Sequence, residues 1–225
     1  MRLEVDVVTL SHSFSSLKMF ENCPYRYYNQ RIMKKVTDQG GEASQYGERV
    51  HKFLEDRLGK KEPLPEEVAK LEVVAARLET AAQGHEMHFE KELTLNANLQ
   101  PTGWWAKDAW MRSKLDVLIL REDDAVVIDW KTGKRRPDFT QLELFALQVF
   151  AHYPYINKVS SSFIWIKDTA LDKEVYKREN AHTMWESLLT RVSRIEQALE
   201  HDTWPAKPSG LCGYCPCKAF CEYAR

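Results

Sequence analysis

Two sets of side chains in this sequence have the types and spacing for chemistry. The first is a run of thiols. Five cysteines are present, and Cys212, Cys215, Cys217 and Cys221 fall within the last 14 of 225 residues. Four thiolates that close together could bind one zinc ion or one iron–sulfur cluster. The second set lies in two apolar runs rich in Val, Ile and Leu, Arg112 to Leu120 and Ala125 to Lys131. The polar stretch Arg121-Glu122-Asp123-Asp124 between them reads as a hairpin loop. Closing that loop sets Leu120 against Ala125 and Asp116 directly opposite Asp129, with Cβ atoms roughly 5 Å apart. Lys131, two residues beyond Asp129, points to the same face. Facing carboxylates destabilise a strand pair, and burial raises the pKa of at least one. A divalent cation that favours oxygen ligands, magnesium or manganese, would remove that penalty. The plain alternative is a pair of solvated aspartates at strand ends, and a slip of one residue would separate them.

The elements that must hold these residues follow from periodicity. Hydroxyls from Ser11 to Ser16 cap a helical spread that runs through Phe14, Leu17 and Phe20 to Tyr27, Tyr28 and Ile32, with a break near Cys23-Pro24. A second helix spans Gly41 to Leu58, with Tyr46, Val50, Phe53 and Leu54 on one face. A third opens at Pro65, with Val68, Leu71, Val74, Ala75 and Leu78 as its stripe. From Met87 the period becomes two, with Phe89, Lys91, Leu93 and Leu95 on one side and His88, Glu90, Glu92 and Thr94 on the other. Thr140 to Phe150 is helical, Val159 to Lys167 is a strand, and Val175-Tyr176 belong to another. Met184 to Leu199 forms the last helix, and Trp204 to Pro208 links it to the thiol tail. Helices at both ends of a central set of strands imply an α/β or α+β core.

Composition narrows the function. Lys and Arg number 32 against 33 Asp and Glu, a net charge of −1, with 44% hydrophobic residues. Such balance excludes disorder and coiled coil, and it excludes polyanion binding by bulk charge alone. Acids in Met1-Arg2-Leu3-Glu4-Val5-Asp6 do not suit a signal peptide, and no apolar run is long enough for a membrane span. The expectation is a reducing cytoplasm, where clustered cysteines bind metal or do redox chemistry. Lys134-Arg135-Arg136, just beyond Lys131, offer local positive charge for phosphate. A second basic group is Arg26, Arg31, Lys34 and Lys35. Trp104, Trp105 and Trp110 could stack on bases, although packing is the commoner use of Trp.

Several segments in one order carry a resemblance. Asp116, twelve residues, then Asp129-Trp130-Lys131 is similar to the core motif of the PD-(D/E)XK nuclease superfamily. Gly47-Glu48-Arg49-Val50-His51 resembles the helix that brings a histidine to the active site in its RecB-type branch. Gln141-Leu142-Glu143-Leu144-Phe145 resembles that branch's glutamine motif, with Phe145 where a Tyr is usual. Ser13 to Leu17 and Cys23 to Tyr27 resemble its N-terminal segment. Cys212, Cys215 and Cys221 have the C-x2-C-x5-C spacing of members with a cluster, such as CRISPR-associated adaptation exonucleases and phage relatives.

The resemblance implies an α/β restriction-endonuclease-like core, a central mixed sheet flanked by helices. It implies one nuclease domain over residues 1–225, with an N-terminal helical segment at 11–35 joined by a metal cluster to a Cys-rich tail at 205–225. His51, Asp116 and Asp129 would hold magnesium or manganese. Lys131 would orient or activate water, and Gln141 would contact substrate or brace the site. Lys134, Arg135 and Arg136 would meet the substrate. Cys23, Cys212, Cys215 and Cys221 would hold a [4Fe–4S] cluster with Cys217 spare; the rivals are a local site using Cys217 and a zinc ion. Glu92 is a secondary acid. The implied activity is metal-dependent hydrolysis of DNA, as an exonuclease on single strands or ends in recombination, repair or phage DNA processing. A helicase or recombinase would be a fitting partner, in the cytoplasm or, for a phage protein, the host's. The alternative is a catalytically silent DNA-binding or assembly module with a structural metal site.

Overall fold

The structure, a computed structural model, describes residues 10–224. Among these no helix is long and apolar enough to cross a membrane. The chain divides into two compact units, the first containing Gly41–Met184 and the second containing His12–Gly40 and the residues from Trp185 onward.

The first unit is a mixed five-stranded sheet with helices. Helix α3 (Glu42–Lys60) buries Val50, Leu54 and Leu58. It follows α1 (Phe14–Asn22) and α2 (Pro24–Tyr27), which belong to the second unit. The segment after Pro65 is not one helix. Glu66–Leu71 winds as a 3-10 helix, and α4 begins only at Glu72, running to Ala81. The tighter winding stacks residues three apart, so Val68 and Leu71 both reach the apolar cluster beneath α3. Strands β1 (Glu86–Leu95), β2 (Met111–Leu120) and β3 (Asp124–Lys131) run antiparallel in sequence. Helix α5 (Phe139–His152) then carries the chain to β4 (Lys158–Trp165), which lies parallel to β3. Strand β5 (Ala170–Lys177) closes the order β1-β2-β3-β4-β5. A parallel pair needs such a crossover, and β3-α5-β4 supplies it. This is the expected mixed sheet flanked by helices, a restriction-endonuclease-like α/β core.

Two apolar clusters sandwich the sheet. Val117, Ile119, Ile128 and Trp130 pack toward α3 and α4. Leu115, Leu118, Leu120, Val127 and Phe163 pack with Leu142, Phe145 and Val149 of α5. Each such fully buried side chain contributes roughly 1.5–3 kcal/mol of apolar burial. Helix α5, covered on most sides, buries every residue from Leu144 to Phe150.

The β1–β2 pair does not keep one face throughout. Met87 and Phe89 pack on the α3 cluster, whereas Leu93 packs on the α5 cluster. Strict alternation would put all three on one side, as the sequence suggested. The change falls at Glu90, whose φ of 49° lies in the left-handed region. Its partner strand changes at the same level, with Val117 on the α3 side and Leu115 on the α5 side. Pairing runs on either side of this point but omits Glu90 with Asp116.

The second unit joins the segment from His12 to Gly40 with the residues from Trp185 onward. Ser13 caps α1 with a reciprocal Ser13–Ser16 capping box. Pro24 opens α2, and Tyr28–Ile32 continue as a π-helix turn. Helix α6 (Ala181–Glu200) supplies Leu188, Val192, Ile195 and Ala198 to its interior. Trp204, read from sequence as part of a linker, is an anchor. Its ring stacks on Tyr27 and Tyr28 at 6.1 and 5.0 Å and meets Phe20 edge-on at 6.3 Å. Arg191 forks onto Glu21, and Tyr25 N–H donates to the Pro205 carbonyl.

Candidate active site

The hairpin register places the site, and its failure opens it. The four pairs from Val117–Ile128 to Leu120–Ala125 match the register read from sequence. The ladder ends there, one step before Asp116 and Asp129 would face each other. Beyond that point the Trp130 N–H finds no β2 carbonyl and donates instead to Asp116 Oδ2 at 2.7 Å. The expected closed carboxylate pair is therefore replaced by a gap between β2 and the end of β3.

Helix α3 fills one side of that gap. Gly47, one turn before His51, lets the helix approach β3: a Cβ at Gly47 would lie 3.0 Å from Thr132 Oγ1. His51 Nε2 then lies 3.0 Å from the Trp130 carbonyl, and Nδ1 lies 3.3 Å from Asp116 Oδ1. A carbonyl only accepts, so Nε2 carries a proton. Asp116 and His51 thus hold both peptide groups of Trp130, the residue between Asp129 and Lys131. Burial alone would push the His51 pKa down. The hydrogen bond and charge of Asp116, with the charges of Asp129 and Glu90, outweigh it and hold the pKa above its ordinary value.

The other side is built by β3 and the first turn of α5. Asp138 caps α5, accepting from Thr140 N–H, and this sets Gln141 over β3. Gln141 Nε2 donates to Asp129 Oδ1 at 3.0 Å, while Gln141 Oε1 accepts from Lys131 Nζ at 3.0 Å. Lys131 Nζ is also 2.6 Å from Asp129 Oδ2, a close ion-pair contact without hydrogen-bond alignment. Asp129 is only 6% exposed. Burial pushes its pKa up to about 6; Lys131 opposes the rise and Asp116 adds to it.

A metal-ready trio forms around Glu90. Ligand atoms of His51, Glu90 and Asp116 lie within 4.8 Å of one another. Glu90 also pairs with Lys114 at 2.5 Å. One imidazole and two carboxylates suit a divalent cation. The hydrogen bond from His51 Nε2 to Trp130 fixes the tautomer that frees Nδ1 as a ligand. Asp129 stands outside this trio, held by Lys131 and Gln141. Glu92, the acid considered from sequence, is exposed on β1. Glu90 was missed because simple alternation assigns it no special place. The available signal was Lys91, a cation on an otherwise apolar face, marking where the alternation breaks.

The remaining candidates are dispersed. Lys134, Arg135 and Arg136 are exposed in the loop after β3, and Arg135 is bound by Asp172, which also accepts from Trp165 Nε1. Phe145 is buried in the α5 cluster. In the second unit, Cys23, Cys212, Cys215, Cys217 and Cys221 all line one cavity of about 310 Å³. Cys23 Sγ accepts from Lys207 N–H, and Cys212 Sγ from Ser209 N–H. Cys217 is 1% exposed, and burial together with Cys215 pushes its thiol up to about 12.

With this geometry, comparison with known proteins is informative. A family model of the PD-(D/E)XK nuclease superfamily matches residues 11–222, and the chain belongs to that superfamily. No curated protein sequence matches it significantly. Among solved structures, SSO0001 has a similar fold, with a TM-score of 0.52 and 15% identity, covering 100% of this chain and 89% of that one. A putative exonuclease from Eubacterium rectale is similar at a TM-score of 0.52 and 14% identity, covering 96% and 92% respectively. Members of this superfamily use divalent metals, and the His51–Glu90–Asp116 group fits one.

Proposed function

We propose that this protein is a magnesium- or manganese-dependent deoxyribonuclease acting on DNA ends or single strands. The observation that carries the reading is one gap in the sheet that brings the metal-ready trio of His51, Glu90 and Asp116 next to Asp129, Lys131 and Gln141. A divalent cation bound there would polarise the scissile phosphate and acidify a water. His51, Glu90 and Asp116 would hold the cation, and Asp129, beside them, would add a further carboxylate to its shell. Lys131 keeps its ammonium at the phosphate, where it orients the water and offsets charge that builds as the new P–O bond forms and the old one breaks. Gln141 holds both Asp129 and Lys131 in place. Lys134 and Arg136 offer charge to the flanking backbone, and Arg135 can do so on leaving Asp172. The exonuclease reading draws support from the fold neighbour of that name. Its test is a comparison of linear and covalently closed single-stranded DNA of one sequence. Cutting of the linear form alone is expected; equal cutting of the circle would make it an endonuclease.

The second unit is read as a clasp around a [4Fe–4S] cluster held by Cys23, Cys212, Cys215 and Cys221, within a nuclease domain that takes in the whole chain. Tetrahedral zinc with Zn–S bonds near 2.3 Å needs sulfurs about 3.8 Å apart. Among the described residues no three cysteine sulfurs lie within 4.8 Å of one another. All five thiols line one cavity with room for a cluster, and Cys217, kept protonated by burial, suits the role of the spare. Iron and sulfide analysis of anaerobically purified protein tests this; zinc alone would overturn it.

A further inference from the structure

The β1–β2 connection is long for adjacent antiparallel strands, which are commonly joined by 2–5 residues. Here it runs from Asn96 to Trp110. It is not loose. Asn96 Oδ1 accepts from Asn98 and Gln100 N–H, Thr102 N–H donates to the Thr94 carbonyl, Thr102 Oγ1 donates to Asp108, and Trp110 N–H returns to the Leu95 carbonyl. Trp110 is buried at 6%, as packing demands. Trp105, on the same ordered loop, is 85% exposed. Fixing a large indole in water forgoes the burial that Trp usually gains.

Beside it sits a cation. The Arg112 guanidinium lies 5.5 Å from the Trp104 ring centroid and 5.8 Å from that of Trp105. Its Nε is buried and has no hydrogen-bond partner among the described residues. Arg112 lies in the first residues of β2, the strand that carries Asp116 four residues on. At about 3.3 Å per residue the separation is roughly 13 Å, the length of about four stacked nucleotides. An aromatic face with an adjoining cation is the pairing that holds unpaired bases and their phosphates.

We propose that Trp104, Arg112 and Trp105 form a stacking platform for unpaired bases, so that the substrate of the neighbouring site is single-stranded. This rests on the nuclease reading above. A duplex hides its base faces and gains nothing from Trp105; a single strand offers one to each ring.

The test is binding in EDTA, where nothing is cut, by anisotropy of a labelled 20-nucleotide oligo-dT, an abasic oligomer of equal length, and a 20-base-pair duplex. The wild type should bind oligo-dT more tightly than the abasic strand. Trp105→Ala should weaken oligo-dT binding roughly 5- to 100-fold, leave the abasic strand and the duplex unchanged, and melt like the wild type. Trp105→Phe should restore most of the affinity. Unaltered oligo-dT binding by Trp105→Ala, an equal loss on abasic strand or duplex, or a wild type that binds no oligo-dT would overturn the proposal. The parent reading is checked separately by manganese-dependent hydrolysis of bis-p-nitrophenyl phosphate by the wild type, since its failure leaves the binding result standing.

Discussion

Replacing Asp129 by asparagine should stabilise the metal-free protein while removing its activity. Asp129 is 6% exposed and its pKa is about 6 against an ordinary 3.8, because burial opposes its ionisation more than Lys131 favours it. At 1.36 kcal/mol per unit, ionising it in the folded protein costs about 3 kcal/mol more than in the unfolded chain. The folded pKa is the higher one, so the folded state binds the proton more tightly. This group's contribution is therefore fully present below about pH 3.8 and is lost as pH rises through about 6. The uncharged amide of the Asp129→Asn variant mimics the protonated carboxyl at every pH. At pH 8 in EDTA the variant should gain up to about 3 kcal/mol, or roughly 6–12 °C in melting temperature for a chain of this size; at pH 4 the difference should shrink to about 0.5 kcal/mol. Saturating manganese should reverse the order, because a cation bound by the wild type stabilises it by mass action and the variant less so. Thermal melts at pH 4, 6 and 8, with EDTA or manganese, read all of this. A variant that melts at or below the wild type at pH 8 in EDTA would refute the burial argument.

Other outcomes follow from the same geometry. Glu90→Gln should weaken manganese binding by roughly 10- to 100-fold with little change in the metal-free melt, measured by titration calorimetry. Lys131→Ala should lower the rate of DNA hydrolysis by about 10²–10³ while keeping metal affinity, which separates charge stabilisation from ligation. His51, with its pKa held up, competes for protons, so manganese affinity should rise with pH as that proton is lost; pH-independent affinity would remove His51 from the ligand set. Cys23→Ala should bleach the visible iron–sulfur absorption, whereas Cys217→Ala should keep it and, being a buried truncation, lower stability by about 1 kcal/mol.

Most elements were legible because their signals are local. The Ser13 cap, the Pro24 break, the α3 stripe and the Ala125–Lys131 strand each follow from residues within a few positions of one another. The hairpin register was legible too, since its loop and two apolar runs define it. Three features were not. The parting of β2 from β3 after Val117–Ile128 depends on Asp116 replacing a backbone acceptor, a tertiary choice. The change of face at Glu90 requires a left-handed residue that a Glu seldom supplies, so alternation misplaced Phe89 against Leu93 and hid Glu90 from the metal group. Trp204 read as linker because its partners, Tyr27 and Tyr28, lie near the opposite end of the chain.

The central claim is that the gap between β2 and β3 hydrolyses DNA with a bound divalent cation. The most direct measurement is release of nucleotides from end-labelled linear single-stranded DNA by wild type and Asp129→Ala, each with manganese and with EDTA. Hydrolysis by the wild type with manganese, and in none of the other three reactions, is the expected result. Cutting that persists in EDTA, cutting that survives Asp129→Ala, or an inert metal-loaded wild type would contradict it.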